Sequence, residues 1–293
     1  MTAIPMDGRA LSASLEERLK AAAEKMKASG AEPMLATILV GDDQASRVYV
    51  ASKHKAAGRV GIGSRSCVLP EQATENELAS LIAGLNADKS VNGILLQLPL
   101  PPQFDELKML ERIDPEKDVD GLTATNAGRL VYGRADLIPC TPRGIMELLH
   151  HYRIPIRSSR AVIINRSTLV GKPLHHLLLA EDATVTVCHS KSTELPSLTQ
   201  QADILVTAVG RRPHFVVTAD MVKEGAVVVD VAMNRVDGKL VGDVDYQGVS
   251  EKASYITPVP GGVGPMTVVM LMQNTLIATE RQNHLVVSQM ESS

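Results

Sequence analysis

Short apolar runs alternate with longer stretches in which apolar residues recur every three or four positions, and this rhythm persists through most of the 293 residues. It is the pattern of parallel α/β sheets, in which crossover helices join consecutive strands. In the first half the strand candidates are residues 34–40, 64–69 and 93–98, and the helix candidates are 8–29, 43–58 and 74–87. Asp43 is placed to cap the second helix and Gly58 to stop it. Thr74 followed by Glu77 spells a capping box. A different rhythm starts near Pro139. Thr141-Pro142 opens a helix running to about His151, with proline early in its first turn. Strands follow at 161–164, 184–188, 203–208 and 226–231, apolar almost throughout and so covered on both faces. A Gly/Pro loop then leads to a last apolar helix at 268–279, and the tail at 286–293 reads as frayed.

The length is comfortable for two domains. A net charge of -3 leaves no basic excess for binding polyanions, and an aromatic content of 2% without Trp removes the stacking platforms of single-strand binders. No nucleic-acid partner is expected. No apolar run approaches membrane-spanning length, and residues 1–10 lack the layout of a secretory signal. Cys67, Cys140 and Cys188 are odd in number and widely spaced, so they frame neither disulfides nor a zinc site. They read as bland buried thiols in a reduced, cytoplasmic setting.

Against so few aromatic rings, Tyr49 and Lys53 stand out. Four residues apart on a predicted helix, they share one face. The plain interpretation is a solvated lysine; the chemical one is an amine made less basic by burial or a nearby cation, with a phenol alongside. Tyr-x-x-x-Lys also occurs in short-chain dehydrogenases, but there the pair lies downstream of the nucleotide loop, whereas here it lies upstream. Gln97 is the lone polar residue at the carboxyl end of an apolar strand, where open parallel sheets place ligands. The Leu98-Pro99-Leu100-Pro101-Pro102 run after it is stiff, with a candidate cis proline. Asp118-Val119-Asp120-Gly121 is not a calcium loop, because the closing Glu would fall at Ala127. It is either a turn with Asp at its bend or a carboxylate facing a guanidine-like ligand edge.

Asn165-Arg166-Ser167-Thr168-Leu169-Val170-Gly171 follows the strand at 161–164, where an α/β protein puts its phosphate-binding turn. A P-loop is excluded, since the required glycine is Arg166. Asn165 stands at the first turn position and is the non-glycine residue best able to adopt a left-handed backbone. Arg166 offers charge for a 2′-phosphate, favouring NADP with NAD also possible. Ser190, between His189 and Lys191, follows the next strand, where a ribose-side phosphate would arrive. The adjacent pairs His150-His151 and His175-His176 point apart on their helices, so no metal is expected.

Taken together, Tyr49–Ala56, Gly93–Pro101, Lys117–Gly121, Pro139–Gly144 and Tyr255–Thr267 resemble the bifunctional methylenetetrahydrofolate dehydrogenase/methenyltetrahydrofolate cyclohydrolase family over nearly the whole chain. The resemblance implies two α/β domains around a cleft. Residues 1–139 with 268–293 would form a folate-binding catalytic domain, and 140–267 a Rossmann-like NADP domain, with the last helix packing on the first. It implies oxidation of 5,10-methylenetetrahydrofolate with NADP and hydrolysis of the methenyl product to 10-formyltetrahydrofolate, usually in a homodimer. By position, Lys53 would be the catalytic lysine of hydrolysis, Tyr49 would orient the folate, Gln97 would tune Lys53 and Asp120 would hold the pterin. Leu98, Pro260, Gly261 and Gly262 would line the folate site, and Asn165, Arg166, Ser167, Ser190 and Met233 the coenzyme. Asn165 and Ala232 stand where the family usually has glycine, and the Arg211-Arg212-Pro213 turn is longer than usual. Cyclohydrolase activity alone, or a silent folate-binding protein, are the rival expectations.

Overall fold

The structure, a computed structural model, describes residues 2–285; the tail expected to fray at 286–293 lies outside them. In chain order the first elements are β1 (Ile4–Pro5), α1 (Gly8–Ala28), β2 (Met34–Val40), α2 (Gln44–Val60), β3 (Gly63–Leu69), α3 (Glu75–Ala87) and β4 (Gly93–Leu96). Next come α4 (Glu106–Leu110), α5 (Ala124–Val131), α6 (Cys140–His151), β5 (Arg160–Ile164), α7 (Gly171–Ala180), β6 (Thr184–Cys188), α8 (Leu195–Thr199) and β7 (Ile204–Thr207). The last are β8 (Val227–Asp230), β9 (Asn234–Val236), β10 (Lys239–Val241), α9 (Tyr246–Ser250), β11 (Tyr255–Ile256) and α10 (Val263–Gln282).

The chain divides into two compact units. One comprises residues 14–140 and, among the described residues, 268–285. Its sheet has the order β3-β2-β4, all parallel, with β2 in the middle. The chain leaves β2 to one side for β3 and returns to the other for β4, which makes the carboxyl end of β2 the switch point where open α/β sheets bind ligands. Its core is aliphatic: Ile38, Leu78, Ile82, Ile94 and Leu96 are all but inaccessible. Thr74 forms the expected capping box with Glu77. Helix α2 is capped by Asp43, as expected, but runs past Gly58 and ends at Gly61, whose φ of 84° only glycine adopts freely.

The other unit joins residues up to Ala13 with Thr141–Thr267. Its sheet is parallel throughout, in the order β1-β11-β8-β7-β5-β6. The reversal lies at β5, with β6 on one side and β7 on the other. The first thirteen residues, expected with the folate domain, fall here because Ile4 and Pro5 pair in register with Tyr255 and Ile256. Two-residue strands leave no periodicity to detect, so both were invisible to pattern. The last helix also starts earlier than expected, inside the Gly/Pro loop, and runs on to Gln282. From Val268 it belongs to the first unit, where the Gln282 amide donates to the carbonyls of Asn92 and Glu116 at 2.9 Å.

Candidate active site

Helix α2 follows the central strand β2 and carries Tyr49 and Lys53 one turn apart. The Asp43 carboxylate accepts from Ser46 N at 2.8 Å and fixes where the helix begins. One residue past the lysine, His54 Nε2 meets the buried Thr37 hydroxyl of β2 at 2.9 Å, which pins the helix to the sheet. Tyr49 is 42% exposed, so its ring is open to a ligand. Gln97 lies one residue beyond the end of β4, so the strand expected to reach 98 stops at Leu96. Its backbone N–H still donates to Ile38 O, and its Nε2 donates to Leu98 O at 2.6 Å. With the nitrogen so engaged, Oε1 faces the lysine and accepts from Lys53 Nζ at 2.9 Å. The Leu98-Pro99 bond is cis.

Asp120 arrives on a loop tied down from several sides. Lys117 O accepts from Ile94 N at 2.7 Å, extending β4 sideways. Lys117 Nζ donates to the carbonyls of Leu85, Asn86 and Asp88, the orphan acceptors at the end of α3. Asp118, buried, accepts from Thr123 N and Asn126 Nδ2 through Oδ2. Gly121 has a φ of 69°, and a Cβ there would meet Pro139 N at 2.8 Å, so the close approach of the chain demands glycine. From α10, Asn274 Nδ2 donates to Val119 O and Ile138 O, each at 2.8 Å.

The electrostatics follow from burial. Desolvation lowers the Lys53 pKa below the usual lysine value, while the charges of Asp120 and Cys140 pull it back up. The Asp120 carboxyl goes the other way: burial raises its pKa, Lys53 lowers it, Asp118 raises it, and a hydrogen bond from Cys140 lowers it. Both groups are thus pushed toward their neutral forms. An amine that sheds its proton more readily than a free lysine is what a general base requires. Cys140 corrects the expectation of three bland thiols: buried, with its Sγ 3.5 Å from Val119 O, its one S–H is shared between that carbonyl and the Asp120 carboxyl, whose pKa it lowers. The signal lay in its place within Pro139–Gly144, a motif already singled out.

In the other unit, Asn165, Arg166 and Ser167 leave the carboxyl end of β5, Ser190 follows β6, and Met233 follows β8. All five therefore lie beyond the same edge of one sheet. Asn165 does not take a left-handed backbone, contrary to expectation. Instead its side chain builds the turn: Oδ1 accepts from Ser167 N at 2.8 Å and Gly171 N at 3.0 Å, and Nδ2 donates to Ala208 O at 2.7 Å. A Cβ at Gly171 would run into the Asn165 carbonyl, so that glycine is obligatory. Arg166 and Ser190 are exposed and available to phosphate, and Met233 is 46% exposed. Such a turn, with free cationic and hydroxyl groups at the switch point, fits a dinucleotide. Ala232, buried, donates its N–H to Asp230 Oδ1. Pro260, Gly261 and Gly262 also belong to this unit. Gly262 N donates to Pro258 O, and a Cβ on Gly8 would strike Gly262 O. Among the described residues no group of three or more His, Cys, Asp or Glu could hold a metal ion, and no helix is long and apolar enough to cross a membrane.

The chain matches known proteins over most of its length. Residues 6–120 match the catalytic domain of tetrahydrofolate dehydrogenase/cyclohydrolase, and residues 139–283 match its NAD(P)-binding domain. The bifunctional protein FolD of Cenarchaeum symbiosum is 57% identical over 273 residues, covering 93% of this chain and 97% of that one. The crystal structure of the bifunctional FolD enzyme of Campylobacter jejuni superposes with a TM-score of 0.93 at 49% identity, covering 95% of this chain and 99% of that one. The Trypanosoma brucei enzyme, solved with NADP and an inhibitor, gives a TM-score of 0.91 at 37% identity and covers 96% and 98%. The chain belongs to the tetrahydrofolate dehydrogenase/cyclohydrolase family.

Proposed function

We propose that Lys53 is the base of the hydrolytic step and Asp120 the pterin anchor of this bifunctional folate enzyme. The reaction is that of the family: 5,10-methylenetetrahydrofolate is oxidised with NADP to the methenyl cation, which is hydrolysed to 10-formyltetrahydrofolate. The observation that supports the roles is the half-buried Lys53, its amine depressed in pKa by desolvation, held by Gln97 and facing Asp120. A neutral Lys53 takes a proton from the water that adds to the methenyl carbon and returns it to the ring nitrogen as the five-membered ring opens, while the carbinol O–H loses its proton to solvent to form the formyl C=O, a net release of one proton. The bound cation itself adds like-charge repulsion and lowers the lysine further. The two oxygens of Asp120 match two donors on the guanidine-like edge of the pterin. Tyr49 orients the folate ring, with Leu98 of the same unit completing its surroundings.

Asn165, Arg166, Ser167 and Ser190 would hold the phosphates of a nicotinamide coenzyme and Met233 would border it; the coenzyme would supply the acceptor for the hydride leaving the methylene carbon. That step needs orientation rather than proton transfer and depends little on Lys53. Residues 14–140 with the last helix form the folate unit, and 141–267 with the first thirteen residues the coenzyme unit. We further propose a homodimer working in the cytoplasm; the family resemblance supports the first, and three free cysteines suit a reducing compartment. An absorbance assay tests the roles, following nicotinamide reduction and then decay of the methenyl chromophore, with NADP and NAD in parallel. Lys53→Gln should reduce NADP and accumulate the methenyl product. Hydrolysis at the normal rate by that variant would remove Lys53 from the mechanism.

A further inference from the structure

The coenzyme unit contains a buried carboxylate, with a cluster of donors around it, that none of the roles above uses. Asp243 follows the β9–β10 hairpin and is inaccessible to solvent. Its carboxylate is nonetheless fully engaged. Oδ2 accepts from the Thr207 hydroxyl at 2.9 Å and from Val209 N at 2.7 Å. Oδ1 accepts from Gly210 N at 3.0 Å and from Asn234 Nδ2 at 3.2 Å. Two of these donors belong to the loop that leaves β7, and a third is the residue after Met233 on the segment that leaves β8.

The same two segments are joined again beside it. Asn234 Oδ1 accepts from Arg212 N at 3.0 Å, and the Arg212 guanidinium donates to Gly242 O at 2.7 Å and Val244 O at 2.6 Å. This accounts for the unusual Arg211-Arg212-Pro213 turn, because Arg212 is occupied inside the fold and is not a phosphate ligand. The β7 loop is tied in turn to the first coenzyme turn through Asn165 Nδ2 on Ala208 O. Three segments leaving β5, β7 and β8 are thus linked side to side, and they leave the carboxyl ends of adjacent strands, where a dinucleotide lies in a parallel sheet. Backbone N–H groups at strand ends otherwise turn toward water or ligand. A buried carboxylate that takes two successive ones determines which way that loop faces.

We propose that Asp243 is a positioning residue for the nicotinamide coenzyme, locking the Val209–Gly210 loop and the Met233–Asn234 segment into the shape against which the coenzyme is held. This rests on the coenzyme unit binding NADP as described above. In Asp243→Asn one acceptor oxygen becomes an NH₂ that faces existing donors, so at least one loop N–H loses its partner and the segments separate. Asn234→Ala breaks the same link more gently, since no carboxylate is removed.

The experiment measures coenzyme KM, dehydrogenase kcat and cyclohydrolase kcat for wild type, Asp243→Asn and Asn234→Ala. Cyclohydrolase uses no coenzyme and reports on the folate unit in the same preparation. We expect the coenzyme KM to rise at least tenfold in Asp243→Asn and severalfold in Asn234→Ala, with kcat at saturating coenzyme falling much less and cyclohydrolase unchanged. An unchanged coenzyme KM in both variants would overturn the proposal. So would loss of both activities in parallel in both variants, which would make the cluster a support of the whole fold. Failure of the wild type itself to reduce NADP would instead overturn the functional reading on which this rests.

Discussion

At the residue scale, the chemistry depends on two ionisable groups that burial drives in opposite directions. Lys53 is less basic than a free lysine because its amine is desolvated, and Asp120 is harder to ionise for the same reason. Each also opposes the shift of the other. The sign of the pH dependence follows. Neutral Lys53 is the active form, so hydrolysis should speed up as pH rises and level off below the usual lysine pKa. The Asp120 charge raises the Lys53 pKa, so Asp120→Asn should move that rise to lower pH at saturating folate while weakening folate binding in both reactions. A pH–rate profile of the two proteins checks this, and coincident profiles would separate the two residues. The Tyr49–Lys53 spacing was legible because a helix puts i and i+4 on one face. The Gln97 contact was legible only through the family resemblance, because 44 residues separate it from Lys53 and no local period links them; the sheet order brings α2 and the end of β4 together.

At the element scale, strand and helix positions followed the apolar pattern closely, and the misses have identifiable causes. Gly58 was a plausible stop for α2, but the stop fell at Gly61, where the left-handed conformation satisfies the last carbonyls. Strands of two residues carry no period. At the coenzyme turn, Asn165 was expected to tolerate an unusual backbone and instead supplies hydrogen bonds of its own. Replacing it should therefore do more harm than its departure from glycine suggests. Asn165→Ala loses three hydrogen bonds worth about 1 kcal/mol each, and the coenzyme KM should rise tenfold or more with cyclohydrolase intact. Gly171→Ala should be worse still, since the added methyl collides with the Asn165 carbonyl. Dehydrogenase kinetics with varied NADP test both; an unaltered KM in Asn165→Ala would show the side chain to be dispensable.

At the scale of the whole molecule, the Asp120 loop depends on residues far away in sequence. Asn274 reaches it across 155 positions, donating to the Ile138 carbonyl and sharing the Val119 carbonyl with Cys140. Asn274→Leu should cost about 1–3 kcal/mol for those buried acceptors, lowering Tm and slowing hydrolysis, as thermal unfolding and the methenyl assay would record. A homodimer should have twice the 31.4 kDa mass of the chain by light scattering; a species of single mass at working concentration would exclude it. The alternation of apolar runs and amphipathic stretches by itself determined the α/β class, most of the elements and the order of the motifs, because these follow from the periods of strand and helix within short windows. Tertiary structure alone decided that Ile4 and Pro5 complete the second sheet, that Cys140 touches Asp120, and that Asp243 ties two loops together. Each of these is a contact between distant segments, and its energy comes from burial and hydrogen bonds that exist only once the sheets have assembled.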